Sequence, residues 1–326
     1  MTSPTTSTGE RSKRGMDSFI RSRRVEKNIE NSMINSSIES PPAPIAHRND
    51  MPSLADLEKE FPIKLQCNGF QYHLAEPLDI GNLQQKTLSS GGERTLIVAT
   101  TPRNKNSYFI KRSLLTGLHS KLRITFGLPR KKAGPDWEIA ELTNSLNALQ
   151  KSIDTPEIVG FGYRKNLGLV SEFEIISKYL SDHTDAATWL STNPEKIKIQ
   201  ELVDTIQKLI IKLHQKETYH LDMWAGNLML TPDSKTLKII DFENCQFGKT
   251  EYSHELLGFL FGFLYYREIK KHLTAQEYDK ITEHTLESHP EIDATRFARL
   301  YALSKNLKIG RKERREIFHS GTVITG

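Results

Sequence analysis

The chain has 326 residues, of which 45 are Lys or Arg and 40 are Asp or Glu, a formal net charge of +5. With 37% hydrophobic residues it is not a wholly disordered chain, which would carry fewer apolar residues and a larger net charge. With 19 Gly and 2 Cys it is neither collagen-like nor disulfide-stapled, and its length suits one large two-lobed domain or two small ones with a sizeable core.

Residues 1–55 read as a disordered tail rich in Ser, Thr, Pro and basic residues. Phe19 is the only aromatic among the first fifty, and Ser36 to Pro44 has the composition of a solvated linker. Arg21, Arg23 and Arg24 beside Phe19 and Ile20 would suit a short basic amphipathic helix, but blocks of like charge usually stay solvated. The first residues carry no apolar stretch of the kind that marks a secretory signal. Cys67 and Cys245 are far apart, and neither sits in a CxxC or Cys/His cluster, so a reducing, cytoplasmic compartment is expected.

Ordered elements are expected next. Thr95–Ala99 and Tyr108–Lys111 read as two strands joined by a polar turn over Pro102–Asn106. Asp136–Lys151 reads as a helix, with Pro135 at its start. Ile158–Gly162 and Leu167–Val170 read as two further strands. Beyond about 175 the pattern turns helical, with Leu202, Ile206, Leu209, Ile210 and Leu213 at helical spacing. Two short strands follow, Leu228–Leu230 and Leu237–Ile240, with a turn at Pro232–Ser234. The longest apolar run, Leu256–Tyr266, is too short for a membrane span of about 20 residues and is expected to be a buried helix. The expected organisation is α+β and bilobal: the tail, a β-rich N-lobe over 56–175, and a mainly helical C-lobe over 176–326.

The most informative segment is His220-Leu221-Asp222-Met223-Trp224-Ala225-Gly226-Asn227, followed by Ile239-Ile240-Asp241-Phe242-Glu243. A carboxylate on a loop is followed five residues later by a carboxamide. After a hairpin, a second carboxylate ends an apolar strand. The hairpin can bring the three oxygen-bearing side chains together. Hard oxygen donors suit Mg²⁺, which also shares phosphate oxygens, and the remaining carboxylate can orient a hydroxyl and accept its proton. These are the parts of a phosphoryl-transfer site.

This constellation resembles the protein-kinase-like superfamily. The resemblance implies further parts. Lys111 lies on a strand and shares a face with Phe109, which points it inward. Its acidic helix partner is Glu141, favoured by its distance from the next strand, with Glu138 and Asp136 as alternatives. Ser89-Ser90-Gly91-Gly92 precedes the first strand of the hairpin. It is not a GxGxxG, but its amides could form a nest for phosphate. Val170–Ile175, including Glu172 and Glu174, is placed to be the linker whose backbone meets adenine. His220 is expected to be structural, and Cys245 to fill core. Trp224 either stacks on a sugar or packs.

Leu221 stands where regulatory protein kinases carry Arg, Glu243 where they carry the Gly of DFG, and no APE follows. The pattern looks like the small-molecule and sugar kinases. Within these the chain is most similar to the bacterial lipopolysaccharide kinase family, which includes the heptose and Kdo kinases. The segments that carry the resemblance are Arg94–Leu96, Tyr108–Arg112, the basic stretch Lys121–Lys132, Trp137-Glu138, Asp154–Gly162, Leu213-His214, His220–Asp222 and Ile240–Phe242. It spans roughly residues 80 to 265.

The resemblance implies ATP- and Mg²⁺-dependent transfer of a phosphoryl group to a sugar hydroxyl of the lipopolysaccharide inner core. Asp222 would be the base, Asn227 and Asp241 the metal ligands and Lys111 the phosphate clamp. Implied partners are a nucleotide and a sugar or lipid-linked sugar acceptor. Two basic clusters, Lys121, Arg123, Arg130, Lys131 and Lys132, and Lys305, Lys308, Arg311, Lys312, Arg314 and Arg315, suit an anionic acceptor or peripheral contact with an anionic membrane face, or are simply solvated. No recognition helix, zinc finger or RNP signature is present, so nucleic acid is not an expected partner. The rival readings are a pseudokinase scaffold and a kinase of another small molecule or a protein.

Overall fold

A computed structural model describes residues 52–102, 105–129, 136–232 and 236–323. The expected tail, apart from its last residues, lies outside the described residues, as do Arg130, Lys131 and Lys132. The described chain divides into two compact units, one built from residues 52–186 together with 226–245, the other from 187–225 together with 246–323. The boundary expected at 175 falls inside a strand.

The first unit is built on seven antiparallel strands. A short helix, α1 (Leu54–Glu60), opens it, capped by Ser53 and Asp56 in a reciprocal capping box. The strands are β1 (Ile63–Cys67), β2 (Phe70–Leu74), β3 (Gln84–Gly91), β4 (Arg94–Thr100), β5 (Ser107–Leu114), β6 (Ile158–Asn166) and β7 (Leu169–Lys178). Their spatial order is β1-β2-β6-β7-β5-β4-β3. Two helices follow β5 in the chain, α2 (Leu118–Phe126) and α3 (Trp137–Gln150).

Strand alternation separates the sheet's two faces. Phe161, Tyr163, Phe173 and Ile175 pack with Ile139 and Leu142 of α3, Ile124 of α2 and Leu54 and Leu57 of α1. On the opposite face Tyr72, Leu74, Ile97, Tyr108, Ile110 and Ile176 pack with Leu78, Ile80 and Leu83 of the connection before β3. Three short strands complete the unit: β8 (Thr184–Asp185), β10 (Leu228–Leu230) and β11 (Leu237–Ile239), with β10 central; β9 (Thr218–His220) precedes β10 in the chain.

Strands β4 to β7 are longer than the sequence suggests, and β1, β2, β3, α1 and α2 go beyond the expected β-β-α-β-β order. Their apolar residues are too few and too interrupted to stand out locally. Leu167 and Gly168 do not begin a strand. They form the β6–β7 turn at φ +50° and +80°, with Leu167 fully solvated, and β7 runs on to Lys178.

The second unit holds most of α4 (Ala186–Ser191), then α5 (Lys196–Gln215), α6 (Ser253–Arg267), α7 (Ala275–Glu287), α8 (Ala294–Asn306) and α9 (Arg311–Ser320); β12 (Cys245–Phe247) precedes α6. The apolar run Leu256–Tyr266 is helical as expected, and α6 is buried from Glu255 to Tyr265. It packs closely on α8, because Gly258 and Gly262 leave room for backbone. A Cβ on Gly258 would lie 2.0 Å from the Phe297 carbonyl oxygen, and one on Gly262 2.5 Å from that of Tyr301. Among the described residues, no helix is long and apolar enough to cross a membrane.

Candidate active site

The first unit contains a cavity of about 640 Å³, within the range usual for small-ligand sites. The β3–β4 hairpin borders it with Ser89, Ser90 and Gly91. Leu96, Phe109, Ile175, Met229 and Ile240 give it apolar walls, and Arg94, Lys111, Glu141, Asn227 and Asp241 are among its polar groups.

Lys111 is on β5, one residue from the buried Ile110, so the pleat turns it to the same side as Phe109. Its ammonium donates to Glu141 Oε2 at 2.6 Å and to Asp241 Oδ1 at 3.1 Å. Burial alone would lower the Lys111 pKa. The Glu141 and Asp241 carboxylates outweigh it and hold the group above its ordinary value, so it stays charged. Burial pushes the Glu141 carboxyl up, and Lys111 opposes that shift.

Asp241 follows β11 in the left-handed region, at φ +64° and ψ +59°. A non-glycine residue holds that conformation only where its surroundings compensate. Asn144 of α3 provides part of the compensation, donating to the Phe242 carbonyl at 2.9 Å and to that of Cys245 at 3.3 Å. Asn144 lies three residues beyond Glu141, on the same helix face. One face of α3 therefore sets both the partner of Lys111 and the turn that carries Asp241. The Ile240 amide donates to the Asn227 carbonyl, which fixes the β10–β11 hairpin and brings Asn227 to the cavity beside Asp241.

Glu243 adds a third carboxylate. Its oxygen lies with those of Glu141 and Asp241 inside a 4.8 Å cluster. Arg94 of β4 donates to it at 2.6 Å. Burial would lower the Arg94 pKa, but the Glu243 carboxylate raises it overall. The donor set of Asp241 and Asn227 consists of hard oxygens on a partly exposed wall and fits Mg²⁺.

In the second unit, Asp222 is buried in the loop after β9, where the Met223 amide donates to the His220 carbonyl. Arg314 of α9 donates to Asp222 Oδ1 at 2.8 Å.

The family description "Lipopolysaccharide kinase (Kdo/WaaP) family" matches residues 80–284. The chain belongs to that family. It is a kinase, a phosphotransferase acting on sugar hydroxyls. A solved structure of WaaP in complex with acyl carrier protein is similar to this kinase at 15% identity, covering 72% of this chain and 90% of that one, with a TM-score of 0.46. No curated protein matches it.

In this kinase Lys111, Glu141, Gly91, Asn227 and Asp241 come together at the cavity, while Gly92 forms the hairpin tip at φ +58°. Glu138 does not meet Lys111. Nor does Asp136, which accepts from Ser120 and Arg123 of α2. Glu172 and Glu174 are not brought to the cavity. They sit within β7, Glu172 bonded to Arg164 and Glu174 to Arg112 and Tyr72. The expected linker is mid-strand because β7 runs on to Lys178, and Ser177, Lys178, Tyr179 and Leu180 line the cavity instead.

The basic clusters also divide. Lys305 is buried against Asp279 and Arg314 against Asp222, whereas Lys308, Arg311 and Lys312 are exposed. His220 and Cys245 are buried. The Trp224 ring lies 4.9 Å from the Arg267 guanidinium. In the sequence Arg94 and Glu243 have no site role, and Arg314 has only a place in a basic cluster suited to an anionic acceptor. Glu243, two residues from Asp241, could have been suspected from its position, but no local signal marks the other two.

Proposed function

We propose that this kinase uses ATP and Mg²⁺ to phosphorylate a hydroxyl of a lipopolysaccharide inner-core sugar. The observation that carries the reading is Lys111, held between Glu141 and Asp241 on the wall of a cavity that Asn227 also lines. Lys111 would hold phosphate oxygens, and the turn amides of Ser89–Gly92 would close over the phosphates. The apolar walls suit a flat heterocycle, with Ser177–Leu180 alongside it. Asp241 and Asn227 would hold Mg²⁺, which when bound neutralises charge on the phosphates.

Asp222 would orient the acceptor hydroxyl and take its proton as the new O–P bond forms. The exposed Lys308, Arg311 and Lys312 suit an anionic, lipid-linked acceptor and contact with an anionic membrane surface. ATP and a lipid-linked sugar meet at the cytoplasmic face of the inner membrane, and this reading puts the enzyme there.

The test is calorimetry with Mg·ATP on the wild type and on Asp241→Ala, followed by phosphate transfer to inner-core lipid. Binding by the wild type that is lost in the variant is the expected result. Equal binding by both proteins would refute the metal role of Asp241, and no binding by the wild type would refute the nucleotide assignment.

A further inference from the structure

Arg314 lies on α9, beyond residues 80–284 that carry the family match. Its neighbours Arg311, Lys312 and Arg315 give the helix the composition of a solvated surface element. Arg314 nevertheless is only 6% exposed. One guanidinium nitrogen donates both to the Leu221 carbonyl and to Asp222 Oδ1, each at 2.8 Å. Nε donates to the Gly310 carbonyl at 3.3 Å. The Phe263 ring lies 4.7 Å from the guanidinium carbon. A buried guanidinium is costly unless its charge is paired, and here the pairing is with the loop that carries Asp222. Arg311 is half exposed and forms an ion pair with Asp222 Oδ2 at 3.5 Å, so both carboxylate oxygens face α9 cations and only Arg314 is buried with the loop.

We propose that Arg314 is the positioning residue for Asp222: it holds the carboxylate by Oδ1 and the preceding peptide by its carbonyl, and so fixes the rotation in which the carboxylate meets the acceptor hydroxyl. This rests on the reading of Asp222 as the base. In the step, the acceptor O–H proton passes to the Asp222 carboxylate while the O–P bond forms and the bond from the γ-phosphorus to the ADP oxygen breaks. The carboxylate must be ionised and correctly rotated when the hydroxyl arrives. The planar guanidinium, fixed by its Nε contact to Gly310, supplies both conditions through one nitrogen, and a flexible ammonium supplies the charge without the fixed geometry. Helix α9 thereby positions the loop that carries Asp222.

The test uses the full chain and four variants: Arg314→Met, Arg314→Lys, Asp222→Asn and the double variant Asp222→Asn/Arg314→Met. Turnover, nucleotide KM, Mg·ATP affinity and Tm are measured for each. Misplacing a reacting group by an ångström costs about 100-fold in rate, so Arg314→Met is expected to lose about that factor in kcat at unchanged nucleotide KM and affinity. Arg314→Lys is expected to recover part of the loss. In the Asp222→Asn background, removing Arg314 is expected to cost nothing further, because the two residues act as one unit.

Should Arg314→Met fail to fold, a reduced kcat in Arg314→Lys with intact Mg·ATP binding supports the proposal, and a wild-type kcat in that variant overturns it. An inactive Asp222→Asn enzyme beside a fully active Arg314→Met enzyme overturns the proposal alone. A fully active Asp222→Asn enzyme overturns the base assignment and the proposal with it. Losses that multiply in the double variant, or losses of kcat and nucleotide affinity in proportion to Tm, would show that Arg314 only staples the helix and would overturn the proposal.

Discussion

Replacing Lys111 with Met tests whether the ion cluster in the first unit serves catalysis or folding. The substitution keeps the apolar stem and removes the charge that Glu141 and Asp241 share at 2.6 and 3.1 Å. The oxygens of those two carboxylates lie within 4.8 Å of each other. Two unit charges at that distance repel by about 3 kcal/mol at an effective dielectric of about 20. For a chain of 326 residues, that corresponds to a fall of roughly 4–5 °C in Tm. Loss of a preorganised donor to a transferring group costs about 100- to 1,000-fold in kcat.

The double variant Lys111→Met/Glu141→Gln separates the two effects. It removes the repulsion, so Tm is expected to recover most of its loss while turnover stays low. Calorimetric unfolding without nucleotide, paired with a phosphate-transfer assay, reads both quantities. A Lys111→Met protein with wild-type Tm and turnover would refute the account of the cluster. Turnover that returns together with Tm in the double variant would refute the catalytic role of Lys111.

Asn144→Ala leaves the Phe242 and Cys245 carbonyls without their α3 donor. A stability loss of about 1–3 kcal/mol is expected, with weaker Mg·ATP binding as the Asp241 turn loosens; a calorimetric titration matching wild type would contradict it. Burial, aided by the nearby His254, lowers the His214 pKa to about 4 from an ordinary 6.5. The unfolded chain then binds more protons between those values, so the folded state loses stability as pH falls from 6.5 towards 4, by about 3 kcal/mol in all. The Tm difference between wild type and His214→Phe should change across that window and be flat above it; a difference independent of pH refutes the assignment. Gly262→Ala puts a methyl group against the α8 backbone and should cost about 1–3 kcal/mol in urea unfolding. A variant of wild-type stability would show that the two helices can move apart freely.

Much of the site was legible because its signal is local in the chain. Asn227 and Asp241 are spaced by a hairpin whose length can be read directly, and the apolar strand before Asp241 marks where it must end. The inward face of Lys111 followed from strand alternation, and the buried character of α6 from an apolar run too short for a membrane. Other features were invisible for physical reasons. Glu138 and Glu141 share a helix face, and only the phase of α3 against the sheet brings Glu141 to Lys111. The length of β7 depends on pairing with β5 and β6, so the segment beside the cavity could not be separated from Glu172 and Glu174 by composition.

The basic residues near the end of the chain look alike in sequence. Burial divides them, because Lys305 and Arg314 are buried against Asp279 and Asp222, Arg311 reaches Asp222 while half exposed, and Lys308 and Lys312 remain in solvent. The sequence by itself determined which groups are present and the order in which they occur, since spacing and periodicity are properties of a single segment. Only the tertiary structure decided which charges meet. The contact of Arg314 with Asp222 joins residues 92 positions apart, and a pairing at that separation is set by how helices and strands pack, which no local pattern records.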